Sequence, residues 1–341
     1  MEKRMETNYI VDKQTRICCL DVYKGICILF IIITHHNWTH EQRLHMLFPF
    51  WIEMAVPVFM VITGYVYANS SAKKNIRLFD SYHPRQILMK WMRYTLPFIP
   101  AWMLGVVGRI WGKGRQFTPV ELIVDFMEGG IGPGSYYYPV LLQTVLAIPI
   151  IIWIINQLKG KGLVGLFVFN LIFEYVKFVM NMSPALYRLC MLRYVFILSF
   201  GCYLFKTGHI HKRIYYITGL IGAIFIVYYQ FLGHVHSFIN MWTGTSVIAV
   251  LFITPLMERI IDISKVENYF LECLGKASYE IFLVQMIFYT AGDDFVRKVI
   301  PSTFLQVFIN ILICCSVGVL YYRIEYPISM RITNRINNII S

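Results

Sequence analysis

Long apolar runs, broken at short intervals by clusters of lysine and arginine, set the pattern of this chain. The runs fall near 17–37, 50–69, 91–110, 136–158, 162–180, 186–205, 214–232, 240–257, 277–292 and 303–322. Each is close to the length a helix needs to cross a hydrocarbon layer of about 30 Å. The pattern therefore predicts an all-α integral membrane protein, a bundle of about ten transmembrane helices. The densest basic stretch is Lys73, Lys74, Arg77, Arg85, Lys90 and Arg93. Lys159 and Lys161, Lys206 to Arg213, Arg259 to Lys276, and Arg323 to Arg335 recur on the same side of the alternation. Cationic loops stay cytoplasmic, so both termini are expected there. The predicted organisation is a cytoplasmic tail at 1–16, a transmembrane domain at 17–325 and a second cytoplasmic tail at 326–341. On the opposite side, Arg109 to Ser135 is long and glycine-rich with an apolar piece at Val120 to Met127, so partial re-entry into the membrane is expected.

Composition sharpens this reading. Of 341 residues, 57% are hydrophobic and only 15% charged, whereas soluble domains carry about 25% charged residues. The mean hydropathy is +0.57. The net charge of +12 belongs to the cytoplasmic loops rather than to a nucleic-acid surface; the expected partner is the lipid bilayer, in a multi-pass protein of the cell membrane, a bacterial plasma membrane by this reading. The eight cysteines sit mostly in or beside apolar runs without metal-type spacing and read as small buried hydrophobes. No metal site and no bound cofactor are expected. The first sixteen residues are polar and no small-residue cleavage site follows the first apolar run, so that run is expected to remain as a membrane helix.

Chemistry enters with the first span, Leu20 to His36, which carries Asp21, Lys24, His35 and His36 along an otherwise apolar helix. Ionisable groups at membrane depth need partners, water or a function. Lys24 and His35 lie about three turns and 16 Å apart on one face. His35 has two readings: a structural histidine bonded to a neighbouring helix, or a general base that removes a proton from an acceptor hydroxyl in acyl transfer. His36 points about 100° away. Asp21 lies one turn before Lys24 and can pair with it; Lys24 either snorkels to the interface or faces an anionic donor such as coenzyme A. In the second span, Glu53 is either interfacial or orients the imidazole of His35, while Pro57 and Gly64 allow a kink and a close helix approach. Arg93, followed by Pro97 and Pro100, is the residue of the basic stretch chosen for a phosphate contact. Tyr136, Tyr137 and Tyr138 read either as an aromatic belt or as a sugar-stacking surface.

Leu20-Asp21-x-x-Lys24-Gly25, an apolar run and His35 resemble the first helix of the integral-membrane acyltransferase type 3 family, with Lys24 where Arg is usual. Pro57 to Tyr65 resembles that family's phenylalanine-rich helix, with Thr63 for Ser. Lys90 to Pro97 resembles its basic third-helix start. Leu274 to Gln285 resembles its Ser-Tyr helix, with Gln285 where His is common, and Arg323-Ile324-Glu325-Tyr326-Pro327 its Glu-x-Pro ending. The resemblance spans residues 16–327. It implies ten helices, a cytoplasmic acyl-coenzyme A co-substrate, acetyl-coenzyme A first, and transfer to a hydroxyl of a cell-surface or lipid-linked carbohydrate. His35 is then the base, with Glu53 beside it. Lys24, Lys90 and Arg93 meet the donor, and Tyr136, Tyr137 and Tyr138 the glycan or glycolipid acceptor. A multispanning transporter or lipid-linked sugar flippase is the rival reading. A glycan polymerase fits less well, because the longest outer loop is glycine-rich with few cations.

Overall fold

The computed structural model describes residues 18–207, 212–233, 246–257 and 268–340, and these residues fold into helices and turns without strands. In chain order the α-helices are α1 (Cys18–Thr34), α2 (His40–His45), α3 (Ala55–Lys73), α4 (Leu78–Ser81), α5 (Pro84–Lys113), α6 (Pro119–Met127), α7 (Tyr137–Val179) and α8 (Pro184–Leu189). They continue with α9 (Val195–Thr207), α10 (Lys212–Ile226), α11 (Tyr269–Lys276), α12 (Ser278–Ala291), α13 (Asp293–Val299) and α14 (Thr303–Ile340).

Among the described residues, four segments are long and apolar enough to cross a membrane: Phe48–Lys73, Tyr137–Val179, Arg213–Phe231 and Thr303–Ile339. That is fewer than the ten expected, and the reasons are physical. α1 is described over 17 residues, the short end of the range for a crossing, and α5 carries Arg93 and Arg109 in its apolar run. The run expected at 186–205 is broken. Cys190 is extended (φ −89°, ψ 122°) between α8 and a 3-10 turn at Met191–Tyr194, and α9 begins only at Val195. Part of the run expected at 240–257 lies outside the described residues. Conversely, α7 joins two expected runs. Its 43 residues are interrupted at Lys159 (φ 48°, ψ −125°), and a Cβ on Gly162 would lie 3.0 Å from the carbonyl oxygen of Ile154. Residues eight apart in a straight helix are about 12 Å apart along the axis, so the chain reverses here into two arms, 137–158 and 160–179. α14 also runs on through residues 326–340, the segment expected as a tail, over about 57 Å.

The centre of the bundle is α9, which is buried from Val195 through Cys202. It meets α3 at backbone distance. A Cβ on Gly64 would sit 2.1 Å from the Leu198 carbonyl oxygen, and one on Gly201 2.0 Å from that of Val61, the close approach expected at Gly64. Small residues at such crossings let helices pack where lipid supplies no hydrophobic drive. Outward faces stay apolar: Trp153, Ile172, Leu220, Ile224, Leu312 and Leu320 are all exposed. Above α5, Thr118 and Glu121 form a capping box that starts α6. The Thr118 N–H and hydroxyl bond the Glu121 carboxylate and hold it below the usual carboxylate range.

α1 pairs with α11 in the same way as α3 with α9, and more tightly. A Cβ on Gly275 would lie 1.7 Å from the Asp21 carbonyl oxygen, and one on Gly25 2.2 Å from that of Leu271. Gly275→Ala is expected to lower stability by about 1–3 kcal/mol or more, read as a fall in the thermal midpoint of the detergent-solubilised chain. Gly108→Ala, with nothing within 4 Å of the added carbon, is expected to leave that midpoint unchanged or raise it.

Candidate functional site

α1 supplies the first wall of the site. Near its start, Lys24 Nζ donates to Asp21 Oδ1 at 3.2 Å, with Asp21 buried and Lys24 partly open, the pairing expected one turn apart. His35 follows the last residue of the helix, and its N–H still bonds the Ile31 carbonyl at 3.3 Å. The Tyr289 ring stands edge-on to the imidazole at 6.3 Å, and the Tyr289 hydroxyl donates to the Ile32 carbonyl at 2.7 Å. α12 thereby fixes the end of α1 that presents His35.

The glycine-rich segment closes the other side of the imidazole. Gly129, Gly130, Gly132 and Gly134 all have positive φ, where other L-residues are strained. A Cβ on Gly134 would lie 3.6 Å from His35 Nε2, and one on Gly132 2.4 Å from the Met286 carbonyl oxygen. Gln285 Nε2 donates to the Pro133 carbonyl at 3.0 Å. The loop is thus seated on α12 and against His35. Gln285, which stands where the resembled family commonly has histidine, is buried and holds it there.

One continuous cavity of about 920 Å³ joins most of the predicted residues: Lys24, His35, Lys90, Arg93, Tyr136 and Tyr137 all line it. Lys90 reaches over the Tyr67 ring at 5.6 Å. Tyr67 and Tyr94 share a hydroxyl contact at 3.3 Å, and Tyr279 donates to the Tyr94 carbonyl at 3.0 Å. Sequence reasoning passed over Tyr67, Tyr94, Glu280 and Glu325 as site residues, although all four line this cavity. The signal available was that Glu280 and Glu325 fall inside the two carboxy-terminal motifs, Leu274 to Gln285 and Arg323 to Pro327; both carboxylates are buried, which a pocket or a partner explains.

Two expectations need correction. Glu53 does not orient His35. Because α3 begins only at Ala55, Glu53 lies in the preceding turn, its N–H on the Phe48 carbonyl. From there its Oε1 pairs with Arg43 Nη2 at 3.1 Å, outside the cavity lining. Tyr138 is no sugar-stacking surface. It is buried, stacked on Phe98 at 3.8 Å, with its hydroxyl 3.1 Å from that of Thr95. One helical step turns it about 100° from Tyr137, into the interface with α5.

The arrangement offers an imidazole at one end of a long cavity and several cations toward the other, which suits transfer between an anionic donor and a neutral nucleophile. No curated protein and no solved structure matches the chain. A family model for an acyltransferase domain, type 3, matches residues 19–323, nearly the whole length. The buried track from Lys24 to His35 lies within that match, and the chain belongs to the type 3 acyltransferase family.

Proposed function

We propose that the protein is a multi-pass membrane O-acyltransferase that moves an acyl group, acetyl first, from acyl-coenzyme A to a hydroxyl of a cell-surface or lipid-linked carbohydrate. The observation that carries this reading is the single cavity that holds Lys24 and His35 together. Its topology follows the charge pattern. An even number of crossings would keep both termini and the basic stretch from Lys73 to Arg93 in the cytoplasm of a bacterial cell, with His35 at the outer end. The anionic coenzyme approaches past Lys24, Lys90 and Arg93, and the roughly 16 Å from Lys24 to His35 accommodates its extended pantetheine arm. The acceptor sugar meets Tyr136 and Tyr137.

In the transfer step, His35 takes the proton of the acceptor hydroxyl as its oxygen adds to the thioester carbonyl. The tetrahedral intermediate collapses, the carbon–sulfur bond breaks, and the coenzyme leaves as a thiolate that recovers the proton from His35. Tyr289 and the Gly134 backbone hold the imidazole in place, the part first expected of Glu53.

Membranes given radiolabelled acetyl-coenzyme A are expected to label a glycan or glycolipid fraction. A transporter or flippase would label none. His35→Ala is expected to cut that transfer by about 10²- to 10⁴-fold, and intact labelling would overturn the mechanism. Lys24→Gln is expected to raise KM for acetyl-coenzyme A about tenfold, the loss of roughly one charge-assisted hydrogen bond, with a smaller effect on kcat; an unchanged KM removes Lys24 from the donor path.

A further inference from the structure

Behind Tyr136 lies an arginine whose side-on edge has no partner. Arg193, in the 3-10 turn before α9, is 5% exposed. Its guanidinium carbon lies 4.6 Å from the ring centres of Tyr136 and Tyr194 and 5.4 Å from that of Tyr187. Both Nε and Nη2 are buried without a hydrogen-bond partner, as is the Tyr194 hydroxyl. Nε and Nη2 form the side-on fork of a guanidinium, the edge that takes two oxygens of one carboxylate or phosphate. Arg85 shows the same fork filled, with Nε on Asn337 Oδ1 at 2.9 Å and Nη2 on its carbonyl at 3.0 Å.

The neighbouring acid does not fill the fork of Arg193. Glu174 is already engaged by Lys177 Nζ at 3.0 Å and by the Tyr187 hydroxyl. The turn that presents Arg193 is held in place. Gln143 donates to the Leu189 carbonyl at 2.6 Å and accepts from the Met191 N–H at 3.1 Å. A buried cation is costly, and this one, set among three tyrosines in a braced frame, keeps its bidentate edge unpartnered. Tyr136 touches both regions: it lines the cavity that contains His35, and its ring lies on the guanidinium.

We propose that Arg193 is an anchor for an oxyanion carried by the acceptor, a carboxylate or a phosphate on the sugar, with Tyr136 and Tyr194 completing the site. The inference rests on the acyltransferase reading above and adds the class of acceptor: an anionic glycan rather than a neutral one.

The test reads binding without transfer. The full-length chain in detergent is titrated with glucuronate, inorganic phosphate and glucose while its thermal midpoint is followed. Glucuronate or phosphate is expected to raise the midpoint saturably, and whichever does so identifies the source of the oxyanion. Glucose is expected to have no effect. Arg193→Lys keeps the charge, loses the fork and is expected to weaken the response at least tenfold, whereas Lys161→Gln, at an exposed lysine outside the cavity, leaves it intact; Arg193→Gln abolishes it. Should Arg193→Gln fail to fold, Arg193→Lys carries the test alone. An equal shift with glucose, no shift with either anion, or an unchanged Arg193→Lys overturns the proposal. A chain that acetylates neutral glycans without binding either anion would sink this inference and leave the acyltransferase reading standing, while a chain that binds the anions and transfers nothing would do the reverse.

Discussion

The backbone contact between α1 and α11 is the constraint on which the site depends. With Gly25 and Gly275 each facing a carbonyl of the other helix, the two axes come closer than any side chain permits. That proximity fixes the end of α1 that carries Asp21 and Lys24. The opposite end is fixed by Tyr289 of α12 on the Ile32 carbonyl. A helix pinned at both ends presents Lys24 and His35 in constant register, and the transfer proposed for this cavity requires that register. Dispersion and close packing do this work because the surrounding lipid is as apolar as the side chains it would displace.

The buried charges obey a common rule. Arg109 grips Asp125 through both terminal nitrogens, at 2.7 and 2.6 Å, and Trp102 adds a third bond to the same carboxylate at 2.8 Å. Asp293 receives Arg297 at 2.8 Å and Asn310 at 2.9 Å. Such sets surround the carboxylates with donors and hold neighbouring helices together. Arg193 departs from that pattern with two atoms of one edge buried and unpartnered, and departures from local rules gather at functional sites.

Much of this was legible in the sequence. The Asp21–Lys24 pair, the alignment of Lys24 with His35 and the role of Gly64 all follow from helical spacing, which is a local property. The glycine-rich segment was marked as unusual, but its place against His35 depends on Gln285 and Met286, more than 150 residues away. Glu53 and Tyr138 misled for a related reason: period alone does not say where a helix begins or which neighbour it meets. The count of crossings was read from uniform apolar runs, whereas the chain interrupts one at Cys190 and extends another well past its apolar part; the reversal at Lys159 falls between two expected runs, where lysines marked the boundary. Arg193 carried no signal in the sequence, since a lone arginine in a loop is ordinary and its burial among three tyrosines is a tertiary fact.

The loop from Gly129 to Gly134 has a thermodynamic consequence of its own. Glycine gives up more conformational freedom on ordering than any other residue, and four of them are held here in left-handed geometry. Release of this segment would recover that entropy at the cost of local backbone bonds, such as Gly130 N–H to the Asp125 carbonyl at 2.7 Å, and of the long-range bond from Gln285 to Pro133. The helices around it are locked by backbone contacts and have no comparable gain in reserve. The wall beside His35 is therefore the part of the cavity that costs least to open, and a bulky chain reaching the imidazole displaces glycine before it parts any pair of helices.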